Sequence, residues 1–186
     1  MMTRPLGKSG FSIAPLVFGG NVFGWTIDEK TSFAILDAFV DHGFDAIDTA
    51  DVYSRWAEGN QGGESETIIG RWLQARPGIR DKVKIFTKVG SDMGLPGHKG
   101  LKKAWIQQAI DDSLRRLNTD YVDLYFAHWP DPETPIAETL SAFHALQQAG
   151  KIRATGASNL DAQQLSSALE VARKEGLPAW QVLQPE

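Results

Sequence analysis

Asp48, Tyr53, Lys88 and His128 stand where short apolar segments stop and polar loops begin. Asp48 closes Phe44-Asp45-Ala46-Ile47-Asp48, Lys88 closes Val83–Lys88 and His128 closes Val122–His128, with Tyr53 five residues past Asp48. An acid, a phenol, an amine and an imidazole are side chains that move protons to and from reacting groups. A lysine among them can also attack a carbonyl carbon. The steps from Asp48 to Lys88 and from Lys88 to His128 are both 40 residues, the length of one long strand–helix unit. In barrels of such units the chemistry lies at the C-terminal ends of the strands. The spacing therefore predicts that these residues meet on one rim.

The elements that would position them alternate regularly. Arg4 to Ile13 reads as a small hairpin around Gly7-Lys8-Ser9-Gly10. Strands are predicted over Pro15–Gly20, Phe44–Asp48, Val83–Lys88, Tyr121–Ala127 and Ile152–Gly156, with a sixth starting at Trp180–Leu183. Between them, apolar residues at helical spacing predict helices from Asp28 to His42, Ser65 to Leu73, Lys102 to Leu117, Ile136 to Ala149 and Asp161 to Lys174. Strand–helix alternation implies parallel strands with right-handed crossovers. A nucleotide-binding open sheet would carry a glycine-rich phosphate loop after its first strand. Gly19-Gly20-Asn21-Val22-Phe23-Gly24 lacks that spacing, and polar residues ending several different strands favour a (β/α)8 TIM barrel. Five units and the start of strand six are visible where a closed barrel has eight. The chain is therefore expected to be a partial barrel domain spanning 1–186, with completion by a partner chain the weaker alternative.

Bulk properties bound the partners. The 186 residues are 42% hydrophobic and 23% charged, ordinary values for a globular chain. A net charge of −4 gives no reason to expect nucleic acid or an anionic membrane as partner. With no cysteine, disulfides and thiolate metal sites are excluded, which fits a reducing compartment. No signal peptide or long apolar run is visible, so the expected location is the cytoplasm. His42, His98 and His144 form no pair at ligand spacing, and no metal site is expected.

The motifs are specific in combination. Asp45-Ala46-Ile47-Asp48-Thr49-Ala50-Asp51-Val52-Tyr53, followed by Gly63-Glu64-Ser65-Glu66, resembles the aldo-keto reductase signature. So do Thr87-Lys88, Leu114–Leu117 with Tyr121–Tyr125, Ala127-His128-Trp129-Pro130, Ile152–Asn159 and Val182-Leu183-Gln184-Pro185-Glu186. The resemblance covers essentially the whole chain in order. The opening Leu6–Gly10 looks closer to bacterial reductases and potassium-channel β subunits than to mammalian aldose reductases.

The resemblance implies a barrel that binds NADPH, or NADH, and a carbonyl reductase whose catalytic tetrad is Asp48, Tyr53, Lys88 and His128. It further implies that Ser158, Asn159 and Gln184 hold the nicotinamide carboxamide, with Asp48 beside the cofactor. Trp25 would line the cofactor or substrate pocket; Trp56 and Trp129 are candidates for the substrate pocket from their position after strand ends alone, with packing the alternative. The later segment with which the family grips the adenosine phosphate has no counterpart here. The substrate would be a small carbonyl compound or a sugar. Residue chemistry agrees with these roles: an ammonium beside a phenol stabilises the phenolate left after proton donation, so Lys88 would assist Tyr53. Asp48 would hold Lys88, and His128 would orient the substrate oxygen or relay a proton.

Each residue also has a plainer reading. Tyr53 can be packing, Lys88 a rim charge, Asp48 a loop acceptor, His128 a structural histidine, and Ser158-Asn159 a helix cap. Three other functions compete: a lyase with Lys88 as Schiff base, a non-catalytic cofactor-binding regulator, and an inactive partial barrel.

Overall fold

A computed structural model of the chain describes residues 2–185. Met1 and Glu186, the last residue of the Val182–Glu186 motif, lie outside the described residues. The alternation of the sequence becomes one parallel sheet. Strands β1 (Arg4–Pro5) and β2 (Ser12–Ile13) form the antiparallel hairpin. Strands β3 (Val17–Gly19), β4 (Ala46–Asp48), β5 (Lys84–Val89), β6 (Val122–Ala127), β7 (Ile152–Ser158) and β8 (Val182–Gln184) then pair in sequential order, all parallel. Helices α1 (Glu29–Asp41), α2 (Glu64–Ala75), α3 (Lys103–Leu117), α4 (Ile136–Gln148) and α5 (Ala162–Glu175) alternate with β3 to β8. This is the expected arc of a (β/α)8 barrel.

Period-2 alternation divides each strand between two surroundings. Ile47, Ile85, Val89, Tyr125, Ala127 and Ala157 face the helices and join Leu36, Ile69, Trp72, Ile106, Ile110 and Phe143 in the larger core. Fully burying one of the leucine, isoleucine, valine or phenylalanine side chains among them contributes about 1.5–3 kcal/mol. Ala46, Phe86, Leu124, Phe126, Ala154 and Val182 face the other way and form a separate cluster. Leu6 and Phe11 of the hairpin pack against that cluster. Phe11 lies 6.4 Å from Phe86, and Lys8 N donates to Gln181 O at 2.8 Å. The hairpin thus covers the N-terminal end of the interior and leaves the C-terminal ends open.

Local signals set the helix limits. Asp28 accepts from Thr31 N at 2.8 Å and starts α1, while Gly43 takes the left-handed φ of 84° that ends it. Asp161 and Gln164 form a reciprocal capping box on α5. The cap of α5 is therefore Asp161, not Ser158-Asn159. Strand β7 runs two residues beyond the expected Gly156, which places Ser158 on the strand itself.

Candidate active site

Asp48, Lys88, His128, Ser158 and Gln184 each follow an interior-facing residue by two positions: Ala46, Phe86, Phe126, Gly156 and Val182. They therefore share the interior face. The register makes them climb. Asp48 pairs with Phe86, Lys88 with Phe126, and Ser158 with Gln184. Lys88 stands one interior position above Asp48, and His128 one above Lys88, as tilted barrel strands require. Ser158 is level with His128, since Phe126 pairs with Gly156, and with Gln184. Backbone bonds continue past the strand ends: Thr49 N to Phe86 O at 2.9 Å, Asp51 N to Lys88 O at 3.2 Å and His128 N to Val89 O at 2.9 Å.

The centre is Lys88. Its Nζ donates to Asp48 Oδ2 at 2.5 Å, to Thr49 O at 2.9 Å and to Tyr53 OH at 3.2 Å. Lys88 is 2% exposed and Asp48 6%. Burial raises the Asp48 carboxyl above its ordinary range, against the pull of the Lys88 ammonium. The Tyr53 ring lies 5.9 Å from the His128 ring, edge to face. Burial, then the Lys88 charge, pushes the His128 imidazole down to about 3, so it is neutral at physiological pH.

Tyr53 sits on a well-anchored loop. Ser54 Oγ donates to Phe23 O at 2.8 Å, and Asn60 Nδ2 donates to Gly24 O at 2.8 Å and Ser54 O at 3.0 Å. The Tyr53 carbonyl accepts from Gly63 N and Ser65 N at the start of α2. Trp25 and Trp56 lie edge to face at 5.6 Å, Trp56 also meets Tyr53 at 5.6 Å, and Trp129 stacks on His128 at 5.9 Å. All three indoles are about half exposed and stand around the Tyr53–His128 mouth. Trp129 also lines an apolar cavity of about 350 Å³ between α4 and α5.

The expected carboxamide-holding residues are grouped but partly engaged. Ser158 Oγ donates to Gln184 O at 2.9 Å, and Asn159 Nδ2 donates to His128 O at 2.9 Å. Asn159 Oδ1 accepts no hydrogen bond among the described residues. Asp48 Oδ1 and Gln184 Oε1 are buried with no partner among the described residues. Buried acceptors without donors are uncommon in folded proteins. A primary carboxamide, with two N–H donors, is a group that would satisfy acceptors of this kind, so these residues fit the expected nicotinamide.

Other polar residues lie around the site to which the motifs assign no role. Ser91 Oγ lies 3.0 Å from His128 Nδ1. On the helix side of β5, Glu66 is fully buried and accepts from Thr87 Oγ1 at 2.5 Å and Arg116 Nε at 2.7 Å. Asp51 is 1% exposed, with neither carboxylate oxygen partnered among the described residues. Burial, and then the negative charge of Glu66, raises its carboxyl well above the usual range. Among the described residues no group of three or more His, Cys, Asp or Glu side chains is placed to hold a metal ion. No helix among them is long and apolar enough to cross a membrane.

Comparison with known proteins gives the same outline. The family model described as "Aldo/keto reductase family" matches residues 15–186. The chain is 39% identical over 165 residues to the aldo-keto reductase YhdN of Bacillus subtilis, covering 88% of this chain and 47% of that protein. It is 35% identical over 187 residues to a probable voltage-gated potassium channel subunit beta of Arabidopsis thaliana, covering 100% of this chain and 55% of that one. An uncharacterized 11.2 kDa protein of Pseudescherichia vulneris is 64% identical over 93 residues, 50% of this chain and 90% of its own length. The chain thus spans about half the length of the reductase and channel-subunit relatives.

Proposed function

We propose that this chain, which belongs to the aldo/keto reductase family, carries the proton-donating machinery of a reversible NAD(P)H-dependent reduction of aldehydes and ketones. Family membership supports an oxidoreductase; the activity of this chain, its cofactor, acid and substrate are our reading. The observation that carries this reading is Lys88 Nζ held between Asp48 Oδ2 at 2.5 Å and Tyr53 OH at 3.2 Å.

Tyr53 gives its phenolic proton to the substrate oxygen. The Lys88 ammonium stabilises the resulting phenolate, and Asp48 holds that ammonium in place. His128, neutral, orients the substrate oxygen by hydrogen bonding. The nicotinamide, when bound, supplies the hydride. Gln184, Ser158 and Asn159 would hold its carboxamide and Trp25 its edge, with Asp48 beside it. NADPH is the expected form and NADH the alternative, on family habit. Trp25, Trp56 and Trp129 form an aromatic mouth suited to a small aldehyde or the apolar face of a sugar. The expected compartment is the cytoplasm.

The test is NADPH oxidation with a generic aromatic aldehyde, run beside Tyr53→Phe. Loss of one positioned acid costs about 10²–10⁴-fold in turnover, with NADPH binding retained. Equal turnover in the variant would refute the assignment. The channel-subunit relative favours a second reading, a cofactor-binding regulator without turnover. Tight NADPH binding with no reduction of any carbonyl would select it. A Schiff-base lyase is disfavoured by the three oxygens that occupy Lys88 Nζ, and borohydride trapping on Lys88 would revive it.

A further inference from the structure

We propose that Ser91 is a positioning residue: its hydroxyl donates to Nδ1 of His128 and holds the imidazole as the Nε2–H tautomer, which makes His128 a donor to the substrate oxygen. The inference rests on the reading of His128 as the group that meets that oxygen.

The His128 backbone is clamped first. Its N–H donates to Val89 O at 2.9 Å and its carbonyl accepts from Asn159 Nδ2 at 2.9 Å. Gly90 then turns the chain with a φ of 120°, a left-handed value that strains other residues. Gly100 N closes the base of this loop on Gly90 O at 3.0 Å. The turn brings Ser91 Oγ to 3.0 Å from Nδ1. Nε2 has no partner among the described residues, which leaves that nitrogen for a ligand.

A neutral imidazole carries one N–H, and the hydroxyl can serve either tautomer. Two arguments select Nε2–H. Ser91 Oγ has no second hydrogen bond among the described residues, so Nδ1 is its available protein acceptor. In the opposite arrangement the Nε2 lone pair would face an oxygen that gains negative charge during hydride transfer. That arrangement repels the transition state, whereas an N–H there stabilises it. With His128 held neutral down to about 3, the tautomer is the remaining variable, and Ser91 sets it.

The test is ¹⁵N ring spectroscopy of the histidines at pH 7 without substrate, in the unsubstituted chain, Ser91→Ala and Ser91→Thr, with His128→Asn to assign the signals. The expected spectrum shows Nδ1 unprotonated and hydrogen-bonded and Nε2 protonated. Ser91→Ala gives a mixture of tautomers, and Ser91→Thr, which keeps the hydroxyl, restores one. In turnover, Ser91→Ala lowers kcat about 3–10-fold, the effect of one neutral hydrogen bond, with a smaller change in KM and rescue by Ser91→Thr. An Nδ1–H signal in the unsubstituted chain, or an unchanged tautomer in Ser91→Ala, overturns the proposal. A shifted tautomer with unchanged kcat overturns its catalytic half. The spectra need no turnover, so they stand whether or not the reductase reading survives.

Discussion

Replacing Lys88 by methionine separates the stability of the buried ion pair from its chemistry. Methionine keeps most of the volume and removes the ammonium. Asp48, 6% exposed, then loses the cation 2.5 Å from Oδ2, while Oδ1 already has no partner among the described residues. Thr49 O loses its donor as well. Breaking a buried pair on one side costs about 3–5 kcal/mol. In a domain of this size that corresponds to a Tm lower by about 6–20 °C. The pH dependence identifies the cause. Burial already raises the Asp48 carboxyl, and without Lys88 nothing of comparable charge opposes it. A carboxyl whose folded value lies above its unfolded value of about 4 destabilises the fold as pH rises through that window. Lys88→Met should therefore lie nearest the unsubstituted chain at about pH 4 and diverge towards neutrality.

A second substitution completes the cycle. Asp48→Asn in the Lys88→Met background removes the unpaired charge and should recover most of the loss. About 1–3 kcal/mol should remain for the unsatisfied Thr49 carbonyl. Recovery is expected in stability only: neither variant regains turnover, because Tyr53 still lacks its cation. The assay is urea and thermal melting of the four members at pH 4, 5.5 and 7.5, with NADPH oxidation in parallel. The reasoning fails if Lys88→Met melts with the unsubstituted chain at pH 7.5, or if its deficit is the same at every pH.

Two further outcomes follow from the buried groups. His128 has a folded value of about 3 against 6.5 in the open chain, so stability is full above about pH 6.5 and falls towards pH 3 as the unfolded state takes up the proton. The limit is about 5 kcal/mol, and His128→Asn should flatten that part of an acid-denaturation series. kcat/KM should likewise show no titration of His128 between pH 6 and 8. Asp51 is raised well above 3.8, so it destabilises the fold increasingly as pH climbs from about 4. Asp51→Asn should raise the Tm at pH 8 by a few degrees and leave it nearly unchanged at pH 4, read by calorimetry; an equal shift at both would refute the assignment.

The sequence made the candidate tetrad legible because two periodicities coincide. Strand alternation puts Asp48, Lys88 and His128 on the same face as Ala46, Phe86 and Phe126, and the 40-residue step puts them at successive strand ends. Both are local patterns, visible without coordinates. Ser91 was not legible: its approach to His128 depends on the Gly90 turn and on a loop closed by Gly100. The Glu66–Arg116 pair spans 50 residues, and a charged residue on a helix reads as solvated until a neighbouring helix covers it. Asp51 lies in the turn after β4, where a carboxylate likewise reads as solvated. The start of α2 was displaced because Gly63 occupies the N-cap position at a φ of 86° with no side-chain cap. The extension of β7 to Ser158 has no local sequence signal because pairing with β8, not residue type, sets it.

Strand β5 shows how the sheet keeps two charge systems apart. Thr87 faces the helices and donates to Glu66, which Arg116 neutralises; Lys88, the next residue, faces the interior and is neutralised by Asp48. Adjacent residues on a strand point to opposite faces, so one peptide unit separates a structural ion pair from the candidate catalytic one. Asp51 feels both, raised by Glu66 and lowered by Arg116 and Lys88. Its backbone N–H donates to Lys88 O, so the Tyr53 loop hangs on the strand that supplies the ammonium. A shift of β5 that moved Lys88 away from Asp48 would move the Tyr53 loop with it. The 3.2 Å contact between Lys88 and Tyr53 is thereby set by main-chain geometry more than by the reach of two long side chains, which is what preorganised proton donation requires.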